Sequence, residues 1–132
     1  MKAIATATVD STPTNYTHHI KTGDFSLLAD EPLASGGQNA GPAPYEFILS
    51  GLGACTAITL RMYAQHKGWE IGQLHVELTL LKDREDHTRI ERVLRTDLEL
   101  SDEVWQGLLK VAEKTPVTLT LRNGAEIVTA RG

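Results

Sequence analysis

Apolar and polar residues alternate along the N-terminal part of the chain, and this alternation predicts three antiparallel strands in a meander. Residues 2–9 alternate with the two-residue period of a strand. Residues 15–21 and 24–30 predict a hairpin around Gly23, whose permissive backbone suits the turn between them. Residues 30–44 contain three prolines and three glycines, which predicts a loop.

The period then changes to that of an α-helix from about residue 44 to Lys67. At about 1.5 Å per residue, such a helix is roughly 35 Å long. Positions spaced alternately by four and three residues form one seam along it: Ile48, Leu52, Cys55, Thr59 and Met62. Gly51 and Gly53 are unfavourable in a helix interior and indicate that another backbone packs very close. Gly68 is expected to end the helix.

The second half of the chain predicts a long hairpin followed by a short helix. Residues 73–82 and 89–100 alternate again, and the polar residues 83–88 join them, so one face of the hairpin is expected to be solvated. Ser101 is a favourable N-cap, and the residues after it predict an amphipathic helix to about Lys114.

The C-terminal segment predicts one last strand. Pro116 is expected to end the short helix, and residues 126–130 are expected to form the closing strand. Strands and helices segregate along the chain instead of alternating, so the fold class is predicted to be α+β. The 132 residues, 41% of them hydrophobic, fit a single domain over residues 1–132.

Charge and composition narrow the classes of partner. A net charge of −4 and a pI near 5.7 argue against a surface that binds nucleic acid or an anionic membrane. The sequence shows neither an uninterrupted apolar membrane span nor the apolar core of a secretory signal. Cys55 is the only cysteine, so no internal disulfide forms. We therefore expect a soluble, cytoplasmic protein with no nucleic-acid or membrane partner.

Cys55 raises the question of chemistry, because a cysteine reacts as its thiolate and needs a cation or a helix N-terminus to favour that form. It lies about three turns into the predicted helix, too deep for the helix dipole to act strongly. Glu46, nine residues earlier, and Arg61, six residues later, are not its neighbours on a helix. An activating arginine must come from elsewhere in the fold or from a second chain. Taken alone, this pattern favours a buried structural thiol.

A long motif around this cysteine resembles the signature of the OsmC/Ohr family, in its OsmC-like branch. The motif runs through Gly41-Pro42, Pro44-Tyr45-Glu46 and Gly53-Ala54-Cys55-Thr56, and the resemblance continues into residues 112–121, "AEKTPVTLTL". It implies an OsmC-like fold with antiparallel sheets around a long central helix, in an intertwined homodimer whose two active sites lie at the subunit interface. It also implies reduction of organic and inorganic hydroperoxides by a pair of cysteines.

The resemblance assigns roles to particular residues, and it also shows departures. Cys55 matches the peroxidatic cysteine. The segment that carries the resolving cysteine in relatives, K-C-P-V-H, has Thr115 and Thr118 in place of its cysteine and histidine. Tyr45 stands where the peroxidase branches have a glutamate, with Glu46 one position later. The arginine of relatives comes from the N-terminal strands, but residues 1–60 contain no arginine.

Two functions from different classes follow. The first is a thiol-dependent hydroperoxide reductase with Cys55 as its single peroxidatic cysteine, Glu46 and Arg61 as the candidate partners, and an external thiol as reductant. No cofactor and no metal are expected. The alternative is a non-enzymatic dimeric binding domain that holds a small apolar or acyl ligand in the interface pocket, with Cys55 as part of its wall.

Other polar groups are better explained by structure than by chemistry. His18 and His19 point to opposite faces of a strand and make a poor chelate. The loop at residues 36–41 lacks the lysine of a phosphate-binding P-loop. The charged residues of the hairpin are expected to form a solvated face with cross-strand pairs: Arg84, Glu85, Asp86, Arg89, Glu91, Arg92 and Arg95.

Overall fold

A computed structural model describes residues 1–132 and shows the predicted α+β class, with two antiparallel sheets and three α-helices. The elements are β1 (Thr8–Ser11), β2 (His18–Thr22), β3 (Phe25–Ala29), α1 (Pro44–Lys67), β4 (Leu74–Lys82), β5 (Thr88–Thr96), α2 (Asp102–Ala112) and α3 (Pro116–Asn123). The chain divides into two compact units, residues 1–48 and 49–132. That the whole chain forms a single domain stays a prediction.

The first unit contains the N-terminal meander, in the order β1-β2-β3. Its hairpin turn is the predicted one, with Gly23 at φ 58°. The prediction of a strand over residues 2–9 is wrong, because β1 begins at Thr8, which pairs with Lys21. Strand β2 ends at Thr22, one residue after the partner of Thr8. Most of residues 2–7 therefore have no neighbouring strand with which to form hydrogen bonds.

The predicted loop after β3 is held by a buried carboxylate, that of Asp30. It accepts hydrogen bonds from the Thr17 hydroxyl and from the backbone N–H groups of Glu31, Gln38 and Ala40. Burial raises the pKa of Asp30, but the hydrogen bonds outweigh it and lower the pKa below its ordinary value of 3.8. The loop is therefore an ordered segment.

Helix α1 has the predicted bounds, but its buried face is not the predicted seam. The residues that it buries are Leu52, Gly53, Thr56, Leu60 and Ala64. Ile48 and Met62, two members of the predicted seam, are exposed. The predicted close approach occurs at Gly53, where a Cβ atom would lie 2.8 Å from Cδ1 of Leu78. The group that approaches is a side chain and not the predicted backbone. Around Gly51 the space is open. Packing on β4 thus selects the face that contains Gly53.

By length and composition, α1 is apolar enough to cross a membrane, although only 22% of its apolar window is buried in one chain. One such helix is weak evidence for a span, because the core helix of a soluble protein has the same composition.

Strands β4 and β5 form the predicted hairpin, with Leu74 opposite Thr96 and Lys82 opposite Thr88. Even-numbered residues from 74 to 80 are half-buried and odd-numbered ones are exposed, as the alternation predicted. The predicted continuation of β5 to residue 100 is wrong. β5 ends at Thr96 because β4 begins at Leu74, and the Asp97 carboxylate accepts a hydrogen bond of 2.7 Å from the Gln73 N–H.

The end of the chain differs most from the prediction. Ser101 caps α2 as expected, its Oγ accepting from the N–H of Val104 at 3.2 Å. Pro116, however, begins a third helix, because its fixed φ and missing N–H suit the first helical position. The predicted strand at residues 126–130 is absent, and residues 124–132 form no regular element.

The hydrophobic core of the second unit lies between α1, α2 and the segment after α1. Its fully or nearly buried members are Leu60, Ala64, Ile71, Leu108 and Ala112, and partly buried residues such as Trp69 and Trp105 pack around it. This core fixes the C-terminal end of α2 relative to the middle of α1.

Candidate functional site

Cys55 lies near the middle of α1 as a free, partly buried thiol. Its sulfur is 3.9 Å from Oγ1 of Thr59, one helical turn further on, a weak contact in which either atom can donate. The next residue, Thr56, is fully buried. Cys55 therefore stands at the border between the buried and the exposed faces of α1.

The two other predicted site residues bind elsewhere. Glu46 accepts a hydrogen bond of 2.9 Å from the Ala43 N–H, at the first turn of α1, where a carboxylate satisfies a free helix N–H group. Arg61 donates to the backbone carbonyl of Gly72. The structure does not join Glu46 or Arg61 to Cys55 by any hydrogen bond, and their catalytic roles stay predictions.

The arginine bound to the residue that follows Cys55 is Arg92, from the middle of β5. Its Nη1 donates to Oγ1 of Thr56 at 2.9 Å and to Oγ1 of Thr118 at 2.9 Å, and its Nη2 donates to the carbonyl of Ala112 at 2.8 Å. The three partners lie on α1, on α3 and at the last residue of α2. Arg92 thus ties three helices to the hairpin.

Arg92 is a partly buried cation with one long ion pair, to Glu113. Its side chain is 14% exposed, and the nearest carboxylate oxygen, Oε2 of Glu113, lies 3.8 Å from Nη2. Burial lowers the pKa of Arg92, and Arg122 adds to this effect, whereas Glu113 and an ionised Cys55 raise that pKa.

Glu113 is shared between two arginines. Its Oε2 accepts from Nη2 of Arg122, and the Glu113 carbonyl accepts from Nη1 of Arg122 at 2.8 Å. The hydrogen bond from Arg122 lowers the pKa of Glu113. Glu113 is therefore bound more closely by the exposed arginine than by Arg92.

Two threonines occupy the positions that hold a cysteine and a histidine in the resembling family. Thr115 is fully buried and Thr118 is nearly so, and their hydroxyls lie 2.6 Å apart. Thr118 also accepts from Arg92, so the pair completes the hydrogen bonding of the guanidinium. The segment thus binds the Arg92 guanidinium through Thr118, although it has no thiol.

The prediction that Arg92 belongs to the solvated charges of the hairpin is wrong, because its guanidinium binds Thr56, Thr118 and the Ala112 carbonyl. Arg89 pairs with Glu91 and Arg95 with Glu77, all exposed. The signal that identifies Arg92 is its even position, shared with Ile90 and Leu94 on the inward face of β5. A charged residue in phase with an apolar stripe indicates a buried polar contact.

An open groove runs beside α1, on the side that carries Arg61. Its volume is about 390 Å³, and it is lined by Ala57, Ile58, Arg61, Met62, Gln65, Gln73 and Leu74. The lining is mostly apolar, and Arg61 supplies its only charge. No carboxylate lies within 4.0 Å of the Arg61 guanidinium.

Three potential metal ligands meet at the turn of the β4–β5 hairpin, where Asp83, Glu85 and His87 place ligand atoms within 4.8 Å of one another. All three are exposed. The Asp83 carboxylate accepts from His87 and from the backbone of the turn, and the His87 hydrogen bond lowers the pKa of Asp83. The turn's own hydrogen bonding accounts for this cluster.

A family model described as OsmC-like protein matches residues 36–130, which include Cys55, Arg92, Thr115 and Thr118. No curated protein matches the chain.

Solved structures share the fold along nearly the whole chain. An OsmC-like protein from Mycoplasma pneumoniae is 17% identical, with 92% of this chain and 89% of that one covered and a TM-score of 0.73. The organic hydroperoxide resistance protein OhrB of Bacillus subtilis is 24% identical, with 91% of each chain covered and a TM-score of 0.63. An OsmC-like protein of unknown function from Vibrio cholerae is 11% identical, with 90% and 94% covered and a TM-score of 0.67.

Proposed function

The chain belongs to the OsmC-like family, and from this premise we propose that it reduces hydroperoxides through Cys55, with an external thiol as the reductant. The observation that carries the proposal is the position of Cys55, a partly exposed free thiol on α1 whose neighbour in the chain, Thr56, binds a partly buried guanidinium. A structural thiol needs no cation, whereas a reactive one does. The general kind of function, a redox role in hydroperoxide resistance, agrees with the names of the structural neighbours.

The chemistry has two stages. The Cys55 thiolate attacks the distal oxygen of the hydroperoxide, so that an S–O bond forms and the O–O bond breaks. The sulfur loses two electrons and becomes sulfenic acid, and the alkoxide leaves and takes up a proton to give the alcohol. An external thiol then displaces water from the sulfenic acid to form a mixed disulfide. A second thiol releases Cys55 and forms the external disulfide.

The reductant must be external because the chain has no second cysteine. Thr115, at the position of the resolving cysteine, is buried and bonded to Thr118. Without rapid resolution, excess peroxide carries the sulfenic acid to sulfinic acid, which thiols do not reduce. We therefore propose that the protein works with a supply of small thiol and loses activity in its absence.

We propose a cytoplasmic homodimer as the working form. Ile58 and Met62, on the open face of α1, are 55% and 63% exposed in one chain, and Ile127 and Val128 are more exposed still. Residues 126–130 have the sequence pattern of a strand but join no strand in this chain. A second copy that covers the α1 face and pairs with this segment accounts for both features.

The groove beside α1 favours a second candidate function, the binding of a small apolar or acyl ligand. Its apolar lining suits an aliphatic chain, and Arg61 has no carboxylate partner, so it suits a ligand carboxylate. Titration calorimetry with decanoate and decanol tests this function. We expect Arg61→Gln to weaken the binding of decanoate and to leave the binding of decanol unchanged. Equal affinity of the native protein and Arg61→Gln for decanoate would contradict this second function.

The test of the main proposal is consumption of cumene hydroperoxide in the presence of excess dithiothreitol. We expect many turnovers per protein chain, saturable in peroxide, and complete loss in Cys55→Ser. Equal peroxide consumption by the native protein and Cys55→Ser would overturn the proposal.

A further inference from the structure

We propose that Thr59 is a catalytic residue of the Cys55 site, and that its hydroxyl donates a hydrogen bond to the hydroperoxide oxygen that becomes negatively charged as the O–O bond breaks. The inference deepens the proposed function and rests on its first step, the attack of Cys55 on the peroxide. In the sequence, Thr59 stood out only as a member of the seam along α1 that also contains Cys55.

The side chain in contact with the Cys55 sulfur is that of Thr59. Thr59 follows Cys55 by one helical turn, and its Oγ1 lies 3.9 Å from Sγ. Two atoms at this separation leave a position about 3 Å from each of them, where a reacting oxygen fits. A hydroperoxide that meets the sulfur therefore has an oxygen within hydrogen-bonding distance of the Thr59 hydroxyl.

The Thr59 hydroxyl is available as a donor, whereas the hydroxyl of Thr56 is not. Thr56 is fully buried, donates to the Leu52 carbonyl at 2.7 Å and accepts from Arg92. Thr59 is partly exposed, and its hydrogen-bond partner is the Cys55 sulfur instead of the carbonyl four residues earlier. Sulfur is a weak acceptor, so an incoming oxygen displaces it easily from the hydroxyl.

A substrate can reach this pair of side chains, because both residues are partly exposed. One face of α1 carries four residues at the spacing of helical neighbours: Cys55, Ile58, Thr59 and Met62. Ile58 and Met62 also line the open groove beside α1. The sulfur and the hydroxyl therefore adjoin a groove that has room for the rest of the hydroperoxide molecule.

The hydrogen bond acts when the O–O bond breaks. The Cys55 sulfur bonds to the distal oxygen, and the electron pair of the O–O bond passes to the other oxygen, which leaves as an alkoxide. Thr59 keeps its own proton, and water supplies the proton that converts the alkoxide to the alcohol. A fixed donor stabilises the developing charge more in the transition state than in the neutral hydroperoxide, so it raises the rate of this step.

The experiment compares two reactions of Cys55 in the native protein and in Thr59→Val, both followed by intact mass spectrometry. One is oxidation by tert-butyl hydroperoxide, with the sulfenic acid trapped by dimedone, and the other is alkylation by iodoacetamide. Both consume the same thiolate, so the ratio of their rate constants at one pH is independent of how much of Cys55 is ionised. Iodide leaves without a hydrogen-bond donor, so alkylation controls for the access and nucleophilicity of the sulfur.

We expect Thr59→Val, which removes the hydroxyl at nearly constant shape, to lower the oxidation rate about tenfold and to change alkylation by less than about twofold. Thr59→Ser keeps the hydroxyl, so we expect it to keep most of the native ratio of oxidation to alkylation. Thr120→Val makes the same exchange at an exposed position of α3 and is expected to leave both rates unchanged.

An equal ratio in the native protein and Thr59→Val, or a ratio in Thr59→Ser as low as that in Thr59→Val, would overturn the inference. Neither reaction needs an external thiol. A protein that shows the Thr59 effect but consumes no peroxide with dithiothreitol would therefore keep the inference and lose the proposed function. Turnover that requires Cys55, together with an unchanged ratio in Thr59→Val, would keep the function and lose the inference.

Discussion

The guanidinium of Arg92 donates a hydrogen bond of 2.9 Å to the hydroxyl of Thr56, and this contact joins the middle of β5 to the middle of α1. Since Thr56 follows Cys55 directly, the same contact fixes the hairpin at the turn of α1 that carries the cysteine. One side chain thus joins the hairpin to the helix of the candidate nucleophile.

Arg92→Ala is expected to destabilise the protein strongly. It removes three hydrogen bonds and leaves the buried Thr56 hydroxyl and the Ala112 carbonyl without this donor, so we expect the free energy of unfolding to fall by about 2–4 kcal/mol. Urea unfolding followed by circular dichroism measures it. The control is Arg95→Ala, an exposed pair for which we expect a loss of at most about 0.5 kcal/mol. Similar small losses in both variants would show that the Arg92 contacts carry little energy.

Valine substitutions at Thr115, which precedes α3, and at Thr118, on α3, test the hydroxyl pair at nearly constant side-chain shape. Thr115→Val removes one buried hydrogen bond, for which we expect a loss of about 1 kcal/mol. Thr118→Val also removes an acceptor of Arg92, and we expect about 2 kcal/mol. Thr120→Val, exposed on the same helix, controls for helix propensity and is expected to change little. Thermal and urea unfolding rank the three variants. A Thr120→Val effect as large as that of Thr118→Val would refute the ranking.

Asp30 predicts how stability depends on pH. Its pKa is lowered in the folded protein, so its contribution is present above pH 3.8 and disappears as the pH falls through the lower folded value. We expect Asp30→Asn to reduce stability at pH 7, because the amide cannot accept all of the hydrogen bonds made by the carboxylate. Urea midpoints of the native protein and Asp30→Asn should converge as the pH falls from 3.8 through the lower folded-state pKa. A constant gap across this range would contradict this account.

The open face of α1 predicts the effect of a single charge on assembly. Ile58→Asp places a carboxylate on the face proposed to contact a second copy, so we expect it to shift the protein from dimer to monomer. Leu109→Asp, a leucine of similar exposure on α2, is the matched control and is expected to leave the dimer intact. Sedimentation velocity measures both. A native protein that is already monomeric at micromolar concentration would end the dimer proposal.

Much of the fold was predictable because most of the elements have strong local signals. Helix α1 has the predicted bounds, Ser101 caps α2, and the β4–β5 hairpin follows its alternation. The errors fall where pairing or packing partners decide. Residues 2–7 and 126–130 alternate like strands, but a strand also needs a neighbour, which alternation does not reveal.

Less of the site was predictable. The position of Cys55 came from the sequence, but Arg92 lies 37 residues later and reaches the neighbouring Thr56 only through the tertiary fold. In the sequence, Arg92 alternates in phase with the apolar Ile90 and Leu94, which indicates a position on the inward face of β5. Its charge nevertheless favoured the interpretation that it is solvated. The hydrogen-bond partners of Arg92 come from three helices, and no local pattern encodes that combination.

The most direct test of the central claim is the second-order rate constant for oxidation of Cys55 by cumene hydroperoxide at pH 7, followed by trapping the sulfenic acid with dimedone and mass spectrometry. Free cysteine is the reference. The account predicts a rate constant at least about tenfold above that of free cysteine, because the proposed site activates Cys55 toward the peroxide. A rate constant equal to or below that of free cysteine would contradict it.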